Sequence, residues 1–307
     1  MLRDIVRGKD KQVAAVVEVI TTAEPDVLVL WGIDWDAEHR GLKALVNELE
    51  DANSPLTHFF TAQPNRGQPT GFDINGNGHK HDPEDAQSFG EFTGQNGMAI
   101  LSRWPIQDSE VMDFSAVLWR DLPNALLPWP GQPEHLEDVY RLASTSHWLV
   151  PIDTSDHGRV WLGSFAASTP VFDGPEDRNG RRNHDELIFW RHLLDGTLHT
   201  PAPDRLILAG HANLDPQRGD GRREAIRALL AHSALQDAKP TGASQHLTVD
   251  WKRYDLENMR LSYVLPTKGW QIIDAGVHWP APDSTEIAVV ETASRHRLVW
   301  VDVQRSD

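Results

Sequence analysis

The 307-residue chain contains no cysteine. Disulfide staples and thiol chemistry are thereby excluded, a condition compatible with either side of a bacterial membrane. Long apolar runs are missing too: no stretch reaches the roughly 20 residues that a membrane-spanning helix needs. The first residues, Met1 to Ile5, lack the apolar core of a signal peptide. Positive charge is scarce, with 29 Lys and Arg against 45 Asp and Glu, for a formal net charge of −16. A balance of that sign argues against a protein that grips nucleic acid mainly through phosphate contacts, but it leaves room for a small anionic ligand in a local basic pocket. Tyrosine is sparse at 3, whereas tryptophan is abundant at 12. The tryptophans read as core or loop anchors, and an exposed subset would mark a binding surface.

Apolar runs bounded by turn residues place strands at about 26–31, 98–103, 159–165, 205–210, 260–265, 271–277 and 296–303. Helical spacing appears at Val13, Val16, Val17 and Ile20, at Leu42, Leu45, Val46 and Leu49, at Leu187, Trp190 and Leu194, and at Ile226, Leu229 and Leu230. No internal repeat or linker divides the sequence, so residues 1–307 read as a single α/β domain.

Several stretches carry more than periodicity. A strand ends in Ala209-Gly210-His211-Ala212-Asn213-Leu214-Asp215-Pro216, and a long polar run extends from Asp173-Gly174-Pro175-Glu176-Asp177-Arg178 through Asn183-His184-Asp185-Glu186. With Gly94 to Ser102, Leu118 to Pro123, Ser146-His147-Trp148 and Tyr263 to Pro266, these residues resemble the endonuclease/exonuclease/phosphatase superfamily, and one bacterial branch of it. The resemblance implies a DNase I-like fold, with two sheets packed face to face and helices outside, a four-layer αββα sandwich. It also implies a metal-dependent phosphoesterase chemistry. There, a carboxylate holds Mg²⁺ or Mn²⁺, a His stabilises the pentacovalent phosphorus, and an Asp-His pair activates water.

Position by position, that constellation is depleted. The strand ending in the Asp of Gly-Asp-x-Asn has His211 instead, with Asn213 retained. Where the resemblance implies a metal-binding Glu, the sequence Trp31-Gly32-Ile33-Asp34 has Gly32; the phosphate-binding His falls at Ala166; a supporting Asp is Ser262; and the terminal Ser-Asp-His reads Ser294-Arg295-His296. The candidate vestigial site is therefore His211, Asn213 and His296. Arg295 puts a permanent cation where an acceptor is expected. Pointed into the cleft, it would favour anion binding over hydrolysis; a filled cleft would pair it with Asp34 or Asp215. The resemblance also implies an opening central strand ahead of the first helix, and this chain enters a helix almost at once. That strand is expected to lie outside the chain or to be absent, leaving its neighbours with unpaired backbone groups.

Two further features have alternative readings. Asp73, Asn75 and Asn77, with Gly78-His79 following and Glu84 at position twelve, satisfy the spacing of a calcium loop. Such an ion would order the 60–97 loop; the alternative is a tight Asn/Gly turn closed by side-chain hydrogen bonds. His79, His81, His211 and His296 invite a transition-metal reading, against which His211 and His296 read as packed remnants. The Arg178, Arg181, Arg182 and His184 cluster reads as a solvated salt-bridge network or a basic pocket.

Three functions are consistent with these residues: a pseudoenzyme whose former cleft binds a protein or an anion, a structural subunit of an assembly, and a phosphoesterase with a rebuilt metal site using His211, Asn213, Asp215 and His296. The resemblance implies a bacterial periplasmic or extracellular protein.

Overall fold

The computed structural model describes residues 1–128 and 133–306. In chain order it contains α1 (Leu2–Val6), α2 (Lys11–Ala23), β1 (Val27–Ile33), α3 (Arg40–Asp51), β2 (His58–Phe60), β3 (Gly97–Ser102), β4 (Met112–Asp113), β5 (His147–Thr154), β6 (Gly158–Ala166), α4 (Arg178–Leu194), β7 (Leu206–His211), α5 (Glu224–Leu230), β8 (Ser262–Pro266), β9 (Trp270–Val277), α6 (Ile287–Ala293) and β10 (Val299–Arg305). Each strand and helix expected from the apolar pattern has its counterpart. Local chemistry marks several boundaries: the Asp10 carboxylate accepts from Gln12 N and Val13 N and so starts α2, and Glu24, in the left-handed region ahead of Pro25, ends it.

Strand β5 is the main element that periodicity misses, because Pro151 interrupts it. The Pro151 carbonyl accepts from Gln107 N, on the side away from β6. Its ring nitrogen faces that same side, beyond the end of β4, so proline costs the β5–β6 ladder no bond.

Five strands form one sheet in the order β4-β5-β6-β7-β8, antiparallel except for the parallel β6–β7 pair. Three form a second sheet, β1-β3-β2, and β9 and β10 form a separate antiparallel ribbon. The first two sheets pack face to face through Met98, Ile100, Trp148, Val150, Ile152 and Leu162. Behind the five-stranded sheet, Leu187, Trp190 and Leu193 of α4 and Ile226 and Leu229 of α5 meet Phe165, Leu208 and Tyr263. On the opposite outside, Ile20 of α2 and Leu42, Leu45 and Leu49 of α3 cover Ala99 and Leu101. The layers run αββα, as expected.

Strand β1 is hydrogen-bonded to β3 alone, and β10 to β9 alone. Residues 27–32 of β1 are half-buried throughout, unlike the fully buried β3. Helix packing also links the β1 side to the β9–β10 ribbon, α2 against α6, with Gln12 Nε2 donating to Ala293 O at 3.1 Å. No helix among the described residues is long and apolar enough to cross a membrane.

Candidate functional site

The carboxyl ends of β1, β6 and β7 and the amino ends of β5 and β8 open on one edge of the sandwich, where the candidate residues collect. His211, the last residue of β7, lies between Ala166 of β6 and Ser262 of β8. Gly210 before it is obligatory, since a Cβ there would sit 2.0 Å from the Phe165 ring. His211 Nδ1 is 3.0 Å from Ser262 Oγ, and its Nε2 is 2.9 Å from Asn213 Oδ1. Asn213, in the left-handed region at φ 50°, donates its amide to Ala167 O at 2.7 Å. Imidazole, amide and hydroxyl thus use their hydrogen-bonding capacity on one another and on the backbone.

Aromatic packing closes the same edge. Ring centroids step from Trp31 to His211 at 5.9 Å, from His211 to His296 at 4.9 Å, and from His296 to Trp251 at 5.7 Å. The Trp31 indole N–H donates to Phe165 O at 3.1 Å. Arg295 ends the ladder on the outside: exposed, it stacks on Trp251 and Tyr254 at 4.9 and 5.6 Å and donates to the Tyr254 hydroxyl. It forms no ion pair with Asp34 or Asp215. Burial holds the His211 pKa down to about 4; the Asn213 hydrogen bond opposes this and the Arg66 charge adds to it. For His296, burial, then the charges of His211, Arg295 and Arg297, hold it down to about 2. Both rings are neutral near pH 7.

The remaining sequence candidates are dispersed. Gly32 forms a bulge in β1 at φ +83°, with no atom within 4 Å of where a Cβ would stand. Asp34 accepts from Asn96 N at 3.1 Å and lines a cavity of about 750 Å³ with Met1, Trp35, Arg40 and Phe92. Asp215 is buried and structural in its contacts, its oxygens accepting from Gln217 N, Arg218 N and Arg260 N. It borders a cavity of about 860 Å³ with Arg218, Lys239 and His246, and neither cavity is lined by His211 or His296.

A Mg²⁺ or Mn²⁺ ion wants several oxygen ligands, and the residues at this edge do not fit one. Gly32 and Ala166 supply no donor, and the Asn213 oxygen is engaged by His211. Among the described residues, no group of three or more His, Cys, Asp or Glu side chains is placed to hold a metal.

In the 73–84 loop, Asp73 accepts from Gly76 N, Asn77 N and Gly78 N, Asn75 from Asn77 N, and Asn77 from His79 N. Asp85, rather than Glu84, reaches back into it, accepting from Ile74 N at 2.7 Å. These are the bonds of a side-chain-closed Asn/Gly turn.

Within the arginine cluster on α4, where Arg178, Arg181 and His184 are half-buried, Arg182 is not part of a solvated network. Arg182 is buried and donates to the carbonyls of Leu142, Gln87, Arg141 and Ala143 and to Tyr140 Oη. Beside it the fully buried Glu186 accepts from the amides and hydroxyls of Ser144 and Ser168. Burial raises the Glu186 pKa, and Arg182 and these donors oppose the rise. None of the described tryptophans is exposed, so no tryptophan-rich surface exists among them; Trp129 lies outside the described residues. Arg66, whose charge acts on His211, is not among the sequence candidates. Its signal was a lone cation without an acid anywhere in residues 61–72.

No curated protein matches the sequence. Among solved structures, an endonuclease/exonuclease/phosphatase from Beutenbergia cavernae is 19% identical with a TM-score of 0.59, the alignment covering 96% of this chain and 66% of that one, so the chain spans just under two thirds of that protein. An endonuclease/exonuclease/phosphatase family protein from Bacteroides thetaiotaomicron is 14% identical with a TM-score of 0.55, covering 96% and 89%. The mannosyl-6-phosphatase of the same organism is 14% identical with a TM-score of 0.54, covering 97% and 91%. At these identities the likeness establishes the fold, a DNase I-like mixed α/β sandwich. The model of the Endonuclease/Exonuclease/phosphatase family matches residues 6–296, nearly the whole sequence. The chain belongs to the endonuclease/exonuclease/phosphatase family.

Proposed function

We propose that this chain is a catalytically degenerate member of its family, a pseudoenzyme whose former cleft serves binding, of an anionic ligand or a protein partner within an assembly, rather than hydrolysis. One observation carries the reading: in the ladder Trp31–His211–His296–Trp251, His211 is bonded at both ring nitrogens, and His296 has its Nδ1 buried without a partner and its basicity held far down by burial. A general base must reach a water or hydroxyl proton, and a metal-activated nucleophile must have ligands. His211 has no free ring nitrogen for the first, and Gly32 offers nothing to the second.

The test is hydrolysis of phosphomonoesters, a mannose 6-phosphate among them, and phosphodiesters with Mg²⁺, Mn²⁺, Ca²⁺ and Zn²⁺, comparing the chain with its His211→Ala variant. Absence of turnover with every metal, in protein shown to be folded, is the expected result. Turnover that disappears in His211→Ala would overturn the proposal and establish a rebuilt phosphoesterase.

A further inference from the structure

Arginines in the interior of this molecule are, as a rule, answered. Arg182 has its carbonyls, Arg260 holds Asp237 through two nitrogens at 2.7 and 2.8 Å, and Arg297 meets Val290 O and Asp250. Arg66 is different. Its Nε is buried without a hydrogen-bond partner, as are those of Arg178, Arg260 and Arg297, but where Arg260 and Arg297 each meet a carboxylate, the Arg66 guanidinium makes no ion pair among the described residues. An unpaired cation withdrawn from water is costly, so its retention asks for a partner.

The backbone around Arg66 fixes where that cation stands. Asn65 N donates to Thr145 O at 2.9 Å, and the buried Asn65 amide donates to Ser115 O and Ala143 O, both at 2.7 Å, tying residue 65 to the start of β5. On the other side Gly94 N donates to Arg66 O at 3.2 Å, while Gly94 O accepts from Trp35 N, just past β1, at 2.8 Å. Gly67 follows at φ +70°, so close to Phe92 that a Cβ would lie 2.0 Å from its carbonyl oxygen. Arg66 therefore bridges the ends of β1 and β5 on the edge that holds His211, and it is positioned before any ligand arrives. Its charge is felt at His211 and at Glu186.

Two buried charges act on Arg66 with opposite sign, the Glu186 carboxyl and the Arg182 guanidinium, and the Glu186 oxygens are already taken by Ser144 and Ser168. Arg66 itself is half-buried, in a protein whose formal net charge is −16.

We propose that Arg66 anchors an oxyanion, the phosphate or sulfate group of a small ligand, at the edge beside His211, in a site that works without a metal. The inference rests on the binding reading of this cleft and names its anchor: Arg66, in place of the outward-turned Arg295. A planar guanidinium with free N–H groups matches two oxygens of such an anion at once.

The test is calorimetric titration of the whole chain with inorganic phosphate, sulfate and dimethyl phosphate, together with the NMR resonance of the Arg66 Nε–H. Binding is expected to shift that resonance, to weaken about tenfold or more in Arg66→Met, to be partly kept in Arg66→Lys, and to be unchanged in Arg295→Met. Preference for phosphate and sulfate over the diester indicates a terminal anionic group; equal binding indicates a backbone phosphodiester. An unmoved Nε resonance, or full affinity in a folded Arg66→Met, overturns the proposal. Hydrolysis in the preceding assay would instead overturn the pseudoenzyme reading. Absence of both hydrolysis and anion binding would leave that reading standing and remove Arg66 from it.

Discussion

Replacing His147 by Phe is expected to flatten the chain's loss of stability in mild acid. His147 opens β5 inside an aromatic box, its ring 4.9 Å from Phe189, 5.5 Å from Trp190 and 6.0 Å from Phe165, and neither ring nitrogen has a partner. Burial, followed by the Arg182 charge, pushes its pKa down to about 3. In the unfolded chain the same imidazole titrates near 6.5. The folded value being the lower one, the contribution to stability is fully present above about pH 6.5 and is lost as pH falls from there toward 3. Over that window the unfolded chain takes up a proton that the native chain refuses. The slope is about 1.4 kcal/mol per pH unit, so lowering pH from about 7.5 to about 5.5 removes roughly 1.3 kcal/mol through this residue alone. His211 and His296 act in the same direction, and the three together remove about 4 kcal/mol, a large part of a typical total of 5–15. Urea denaturation of both proteins at the two pH values isolates the effect, because packing changes in His147→Phe are the same at each pH and cancel in the difference. A variant with the wild-type pH difference, to within about 0.3 kcal/mol, would refute a neutral buried His147.

Two other substitutions test the backbone and the buried charges. Gly32→Ala meets no neighbouring atom, yet its φ of +83° is expected to cost about 1–2 kcal/mol in denaturant unfolding; a neutral result would mean that the β1 bulge relaxes freely. Arg182→Met leaves Glu186 buried beside four abandoned carbonyls and is expected to cost about 3–5 kcal/mol. Adding Glu186→Gln should recover part of that loss, which a double-mutant cycle would measure.

The architecture was legible in the sequence because burial on both faces leaves apolar runs, as at Leu206 to Leu208, and burial on one face leaves the helical spacing of Leu42, Leu45 and Leu49. Strand β5 hid behind Pro151, whose tolerance depends on β4 stopping short, a fact of tertiary pairing. At the site, the sequence brought His211, Asn213 and His296 to one place. It could not give the direction of Arg295, which is decided by Trp251 and Tyr254 from a distant segment. Nor could it see that Arg182 is a buried clamp, since a run of arginines and acids has the same composition whether dissolved in water or enclosed by carbonyls. Asp215 looked like a ligand for the same reason: a carboxylate that organises a turn is indistinguishable in sequence from one that waits for a cation.

The separation of the β1-β3-β2 sheet from the β9–β10 ribbon has a mechanical meaning. His296 is tied through Val249, and Arg295 through Asp250 N, to the segment that pairs with Met259, so this wall of the cleft moves with β8 and His211. Strand β1, carrying Trp31, is on the other side of the division, with no ladder of hydrogen bonds to β10. Stiffness across that seam comes from α2 against α6, from the packed sheet faces, and from the single bond of the Trp31 indole to Phe165 O. Helices in contact yield by small sliding steps more readily than a strand ladder breaks. Trp31 is therefore both the first rung of the aromatic ladder and a hydrogen-bonded tie between β1 and the end of β6.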